Sequence, residues 1–600
     1  MAQRERLQVE EQYKWDLTPL YESKEDWAAE KRQLASEIAD IRGFKGSLAS
    51  SPDTLLDFLS KDADNERRMA RLSIYASLLS DQDIRVPEHL AMVKEIEQLS
   101  VDYSQMTGFA RPELTAINDE KWEEFFNLEP QLSQFKMTID RIRRQREHTL
   151  SDAEEVLLSK VAILGNPSSD TFSVFSDAEM PMPSLTLADG SNVELDHATF
   201  ANVRCSPCRD DRKAAFDAFW ANYAKFEGTF GELMNGNLKR MFFNANVRKY
   251  GSCLEAALSR NDIPTAVYHS LIDNVNENLP TFHRYLRLKA RLLGVEQLHY
   301  YDLYAPAVED VDLEFSFAEA RQLVLDALAP LGDEYLSVVR RAFDERWIDA
   351  MPNQGKASGA YSNGAAYDVH PYILMNFDGR YDSVGTLIHE LGHTMQSYYS
   401  NLRQPFALAD YSIFVAEVAS TFNEALLDHM MLSRLKESRQ KISLLMSMLD
   451  GFKGTLFRQA QFAEFQLRAS QMVENGEPIT GRALSLLYGE ITRKYYGQDG
   501  GVCVVDDPVN IEWAFIPHFY MGFYVYQYST SFVASQALSE SVLRADEGAL
   551  GRYLEFLAAG DSKYPIEELR DAGVDMLSPL PFDMAIKKMN ALMDQVEALL

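Results

Sequence analysis

One stretch constrains this chain more than any other: Thr386-Leu387-Ile388-His389-Glu390-Leu391-Gly392-His393-Thr394-Met395-Gln396. On a helix, two histidines four residues apart lie on one face, one turn above each other. Their imidazoles can hold one zinc ion, and Glu390 sits a short rotation away, placed to act as a base on water. The spacing therefore predicts one zinc per chain, with His389 and His393 as ligands and Glu390 as the catalytic base.

The context supports a helix there. Asp382 or Ser383 can serve as N-cap just before an apolar-periodic run. Upstream, Pro371 to Phe377 reads as a buried strand closed by the turn Asp378-Gly379. A catalytic zinc takes three protein ligands and keeps one position open. The metzincin pattern would need Gly at 396 and His at 399, where this chain has Gln396 and Tyr399. The better candidates lie on the next predicted helix, Ser412 to Glu424, where Glu417 and Glu424 are seven apart among apolar residues. Carboxylates on an apolar helix face are costly unless paired or metal-bound.

His389-Glu390-Leu391-Gly392-His393 followed by Phe414-Val415-Ala416-Glu417-Val418-Ala419-Ser420 resembles the thimet oligopeptidase-like zinc metallopeptidases. Trp15-Asp16-Leu17-Thr18-Pro19-Leu20-Tyr21 and the segment Phe519 to Tyr528 extend the likeness over almost the whole chain. The resemblance implies a mainly α, multi-helix, two-lobed fold with a deep cleft and a small β-sheet beside the zinc helix. It implies a zinc endopeptidase of restricted access that hydrolyses internal bonds of short peptides. Glu417 then becomes the third metal ligand, and Glu424 the carboxylate that orients a ligand histidine. A His and tyrosines of the C-terminal aromatic segment would face the zinc and stabilise the oxyanion, which points to His518 and Tyr526. The family's first catalytic tyrosine meets Phe523, leaving Tyr520 or Tyr524 to substitute.

Composition narrows the partners. The net charge of −31 argues against nucleic acid or an anionic membrane. Met1 to Glu11 carries no apolar signal core, and no apolar run approaches a membrane span. Four cysteines in 600 residues argue against a disulfide framework and fit a reducing cytoplasm. The expected partners are short peptides.

The rest reads as helices. Residues 23–160 form an amphipathic succession, with Pro52 and Pro87 just inside helix starts. Residues 1–110 and 111–198 make two helical regions, the second ending in a hairpin from Pro183 to Leu195. The catalytic part spans 199–600. Cys205-Ser206-Pro207-Cys208 lacks a second metal-binding pair and reads as a linker before a helix. Residues 357–364 pair with 371–377 as an edge strand near the zinc, and 431–475 and 480–497 form long helices. The enzymatic rival is a carboxypeptidase or dipeptidyl carboxypeptidase, which needs a cation such as Arg458 or Lys494 to capture a terminal carboxylate. The non-enzymatic rival, a helical scaffold with a structural metal, has no use for Glu390.

Overall fold

The computed structural model describes residues 4–161, 164–308 and 313–600. It is mainly helical, with only short strands, in agreement with the expected fold class. The chain groups into two compact units, both discontinuous. The first comprises Met1–Glu147, Asp312–Met431 and Leu538–Val574; the second comprises His148–Val311, Leu432–Ala537 and Asp575–Leu600. Among the described residues, no helix is long and apolar enough to cross a membrane.

In the first unit, Pro52–Gln82 and Pro87–Thr107 are long helices that both begin on their prolines. Proline costs nothing there, because its missing N–H would have no intrahelical partner. Ser51 caps the first of them, accepting a hydrogen bond from Thr54 N–H. Their apolar faces bury Leu55, Phe58, Leu72 and Ile96 together with Trp15, Leu20 and Trp27 from the N-terminal segment. The same core reaches Tyr372 and Leu374. Trp15 packs edge-to-face on Tyr372 at 6.2 Å, and the Tyr372 hydroxyl donates to Asp16 O at 3.0 Å. The Trp15–Tyr21 stretch therefore buttresses the strand that precedes the histidine helix.

That strand belongs to a three-stranded sheet of β1 (Ile348–Asp349), β2 (Tyr361–Asn363) and β3 (Tyr372–Leu374), in the order β1-β3-β2. The expected pairing of β2 with β3 is present and antiparallel, with Ser362 opposite Ile373. The parallel strand β1 was not expected, since a two-residue strand carries no period to detect. Its Asp349 carboxylate is fully buried and neutralised by Arg6 and Lys356.

Next come α1 (Tyr381–Arg403) and α2 (Ile413–Arg434). The predicted cap of α1 needs correcting. The N-cap is Arg380, with no side-chain cap, and it is Asp378 that accepts from Ser383 Oγ at 2.6 Å and from Arg380 N–H at 3.0 Å. Gly379, at φ +87°, turns the chain so that the Asp378 carboxylate folds back over the first turn.

In the second unit, Ser184–Thr186 and Asn192–Glu194 form the expected antiparallel hairpin. The helix expected over 431–475 is instead two helices, Ser438–Gly451 and Arg458–Glu474, joined by a π-helical turn at Phe452–Phe457. A single such turn keeps the chain helical, so no break in the sequence marks it.

Candidate metal centre

The site is built where α1 crosses α2. His389 and His393 occupy successive turns of α1, their ring centroids 4.9 Å apart and nearly perpendicular. From α2, Glu417 Oε2 comes within 3.4 Å of His389 Nε2 and 3.6 Å of His393 Nε2. Two donors at zinc-ligand distances on a tetrahedron stand roughly 3.3 Å apart. These three side chains fit a zinc ion in both donor type and spacing. They are also the metal-capable group found among the described residues, with ligand atoms within 4.8 Å of one another.

The close crossing depends on Gly392. A Cβ there would lie 2.6 Å from both the Ala419 carbonyl oxygen and Ser420 Cα. Asn423 adds a tie, donating from its amide to Ile388 O at 3.2 Å. Sequence reading missed this contact; a glycine inside a helix that gains nothing from it was the available signal.

Outer partners hold the rings. Glu424 Oε1 lies 2.7 Å from His389 Nδ1, and Ser420 Oγ donates to Glu417 Oε2 at 2.8 Å. His393 hydrogen-bonds the Ala416 backbone. Burial works against a charged His389, but the Glu424 hydrogen bond and the nearby carboxylates outweigh it and push the ring up to about 9. Burial and the neighbouring His389 push His393 down to about 4.

Glu390 is 7% exposed. Desolvation raises its carboxyl to about 7, with Glu417 adding to the rise, while His389 and a hydrogen bond from the Ser362 backbone pull the other way. Ser362 lies on β2 and also hydrogen-bonds Thr394 through its hydroxyl at 2.8 Å. The sheet edge thus touches Glu390 directly, a contact that spacing along the chain did not disclose.

The aromatic segment lies in the second unit. His518 is half-buried on a 3₁₀ turn, Pro517–Met521, and Tyr526 opens the helix Tyr526–Leu543. Tyr526 is 3% exposed and packs on Tyr268 at 5.0 Å, and burial holds its phenol well above the usual range. Tyr520 is buried against Phe172. Tyr524 is half-buried, stacked 6.1 Å from His518, with the Tyr528 hydroxyl 3.5 Å from its own. Between them Gly522 and Phe523 both adopt positive φ, at +60° and +53°.

The two cations considered for carboxylate capture are already engaged. Arg458 donates to Glu512 Oε1 at 2.7 Å and to the Tyr300 hydroxyl at 2.8 Å. Lys494 is paired with Glu464. Cys205 and Cys208 are both free thiols.

Residues 203–588 match peptidase family M3, and residues 113–181 match an oligopeptidase F family segment. The chain is 39% identical to oligopeptidase PepF of Bacillus subtilis, over 99% of this chain and 88% of that protein. It is 37% identical to group B oligopeptidase PepB of Streptococcus agalactiae, over 97% and 96%. A solved oligoendopeptidase-F structure from Enterococcus faecium matches with a TM-score of 0.74 and 33% identity, covering 96% of this chain and 99% of that one.

Proposed function

The chain belongs to peptidase family M3 and is a metallopeptidase, and from that premise we propose that it is a zinc endopeptidase cleaving internal bonds of short peptides. The observation that carries this reading is the His389, His393 and Glu417 triad with Glu390 beside it. Zinc, when bound, supplies Lewis acidity, acidifying water and polarising a carbonyl. Glu390 takes the proton from the attacking water and delivers it to the leaving amine. Burial raises the Glu390 carboxyl, which favours its taking up a proton. The Ser362 N–H fixes one side of that carboxylate, and Glu424 fixes the His389 ring, so neither needs to reorganise during the reaction.

The oxyanion donor is assigned to Tyr526, with His518 positioning substrate. A phenol that burial keeps protonated remains an O–H donor across the working pH range. Tyr524 is the second candidate, favoured by its half-buried phenol beside His518.

Endopeptidase action is favoured over removal of C-terminal residues because Arg458 and Lys494 are each neutralised by a carboxylate. The test is hydrolysis of a peptide blocked at both termini, read by mass spectrometry with and without a chelator. Internal cleavage abolished by the chelator and restored by zinc is expected. Cleavage only of peptides with a free C-terminal carboxylate would replace the endopeptidase reading by the carboxypeptidase one.

A further inference from the structure

In the second unit, the turn Cys205-Ser206-Pro207-Cys208 joins the helices His197–Val203 and Arg209–Ala224. Its carbonyls at Ser206 and Pro207 accept from Arg212 Nη1 at 2.7 and 3.0 Å, and Arg212 Nη2 donates to Asp302 at 2.9 Å. Arg212, only 3% exposed, lines a cavity of about 20 Å³ together with Phe200, Arg204, Trp220, Tyr304 and Glu512. That is room for one or two water-sized species and nothing larger.

Three lining residues bury an N–H with no acceptor: Arg204 Nε, Arg212 Nε and Trp220 Nε1. A buried donor left without an acceptor is costly, and orphans on residues that line one cavity point to an occupant that accepts hydrogen bonds. Every orphan on these walls is a donor. A water would still have to place its own two hydrogens, whereas an anion only accepts.

The surrounding charge points the same way. Among the described residues Arg204 has no carboxylate partner; its guanidinium lies 3.9 Å over the Tyr304 ring and 5.9 Å from that of Phe200. Asp302 is shared by Arg209 and Arg212, and Glu512 answers Arg458. Asp450 is shared by Lys289 and Lys453, and the Lys453 ammonium lies 4.4 Å over the Tyr304 ring. Of the charged residues on the cavity wall, two are cations, Arg204 and Arg212, and one is a carboxylate, Glu512, which Arg458 already answers from behind.

We propose that this cavity is a binding site for one small monovalent anion of the halide class, distinct from the metal centre. Its size excludes phosphate and any peptide carboxylate that carries a side chain.

Two measurements on the full-length protein test this. In crystals soaked in sodium bromide, an anomalous peak is expected among Arg204, Arg212 and Trp220. Density there without anomalous signal would mean water only and would overturn the site. In solution, replacing sodium gluconate by sodium chloride at fixed ionic strength should raise the melting temperature by a few degrees and saturate, since only an anion small enough to enter stabilises the fold. Arg204→Gln, which breaks no ion pair, should move the half-saturating chloride concentration up at least tenfold. An equal melting temperature in both salts, or an unchanged titration in Arg204→Gln, would also sink the proposal. Should that variant fail to fold, the bromide peak in the wild-type protein decides alone.

Discussion

Gly392 faces the backbone of Ala419 so closely that a methyl group on it would stand 2.6 Å from the carbonyl oxygen. Alanine in an exposed helix interior is normally worth about 0.5–1 kcal/mol over glycine. Here the sign should reverse, because neither backbone can retreat without moving Glu417 away from the two histidines. Gly392→Ala is expected to lose about 1–3 kcal/mol of stability through overpacking and to weaken metal binding at least tenfold. Metal content after dialysis against a graded chelator series, together with thermal melts, checks both; normal metal retention would show that the crossing tolerates expansion.

Glu390→Gln keeps the shape of the base and removes its proton-accepting oxygen. Turnover should fall by about 10²–10⁴-fold with the metal content unchanged. Near-wild-type turnover in a variant carrying one zinc per chain would end the assignment of Glu390 as the base.

That His389, His393 and Glu417 come together was legible, because helical period and the cost of charge on an apolar face are local signals. What holds them in place was not. Gly392 has no side chain to carry a pattern, and Ser362 reaches Glu390 from a strand outside the motif. Asp349, Arg6 and Lys356 look like surface residues in sequence, yet the carboxylate and the Lys356 side chain are fully buried beneath the sheet. The helical content was legible from periodicity and the fold class from the resemblance, while the π-helical turn at Phe452–Phe457 kept the chain helical with no break to mark it and so stayed hidden.

Glu417 and Glu424 differ in what they touch, and their variants should separate accordingly. Glu417→Ala removes a proposed ligand, so zinc content and activity should fall together. Glu424→Gln leaves the triad complete and loses only the charged partner of His389 Nδ1, for about a 10–100-fold cost in affinity or activity. A larger loss of metal from Glu424→Gln than from Glu417→Ala would exchange the two roles.

Glu568 is a buried acid that the reaction does not use. It is 3% exposed, its Oε1 has no hydrogen-bond partner, and burial holds its pKa well above the usual carboxylate range, with Asp561 adding to the rise and Lys563 opposing it. The folded chain therefore keeps this proton while the unfolded chain releases it above about 4.5. Stability from this group is complete below that pH and declines as pH rises towards the folded value. Glu568→Gln, neutral at every pH, should match the wild type near pH 4.5 and gain melting temperature over it progressively towards pH 8. A difference that stays constant across that range would place the effect in packing and not in ionisation.

Tyr526 presents the sharpest choice between chemistry and packing. Its phenol is buried against Tyr268, and the positive φ values at Gly522 and Phe523 break any regular period through the segment, so spacing alone cannot say which phenol serves the reaction. Non-glycine backbone in that region is strained and persists where the surrounding structure holds it, most often beside functional groups. An oxyanion donor acts on charge that develops only in the transition state, so its removal should fall on kcat and not on KM. Tyr526→Phe preserves ring packing and should lower kcat by about 10²–10³-fold with melting temperature and KM nearly unchanged. His518→Ala should instead raise KM if it positions substrate. A silent Tyr526→Phe beside a strongly impaired Tyr524→Phe would move the donor to the half-buried phenol stacked on His518. If both phenylalanine variants turn over normally, the aromatic segment is core, and the oxyanion must be stabilised without a tyrosine hydroxyl from it.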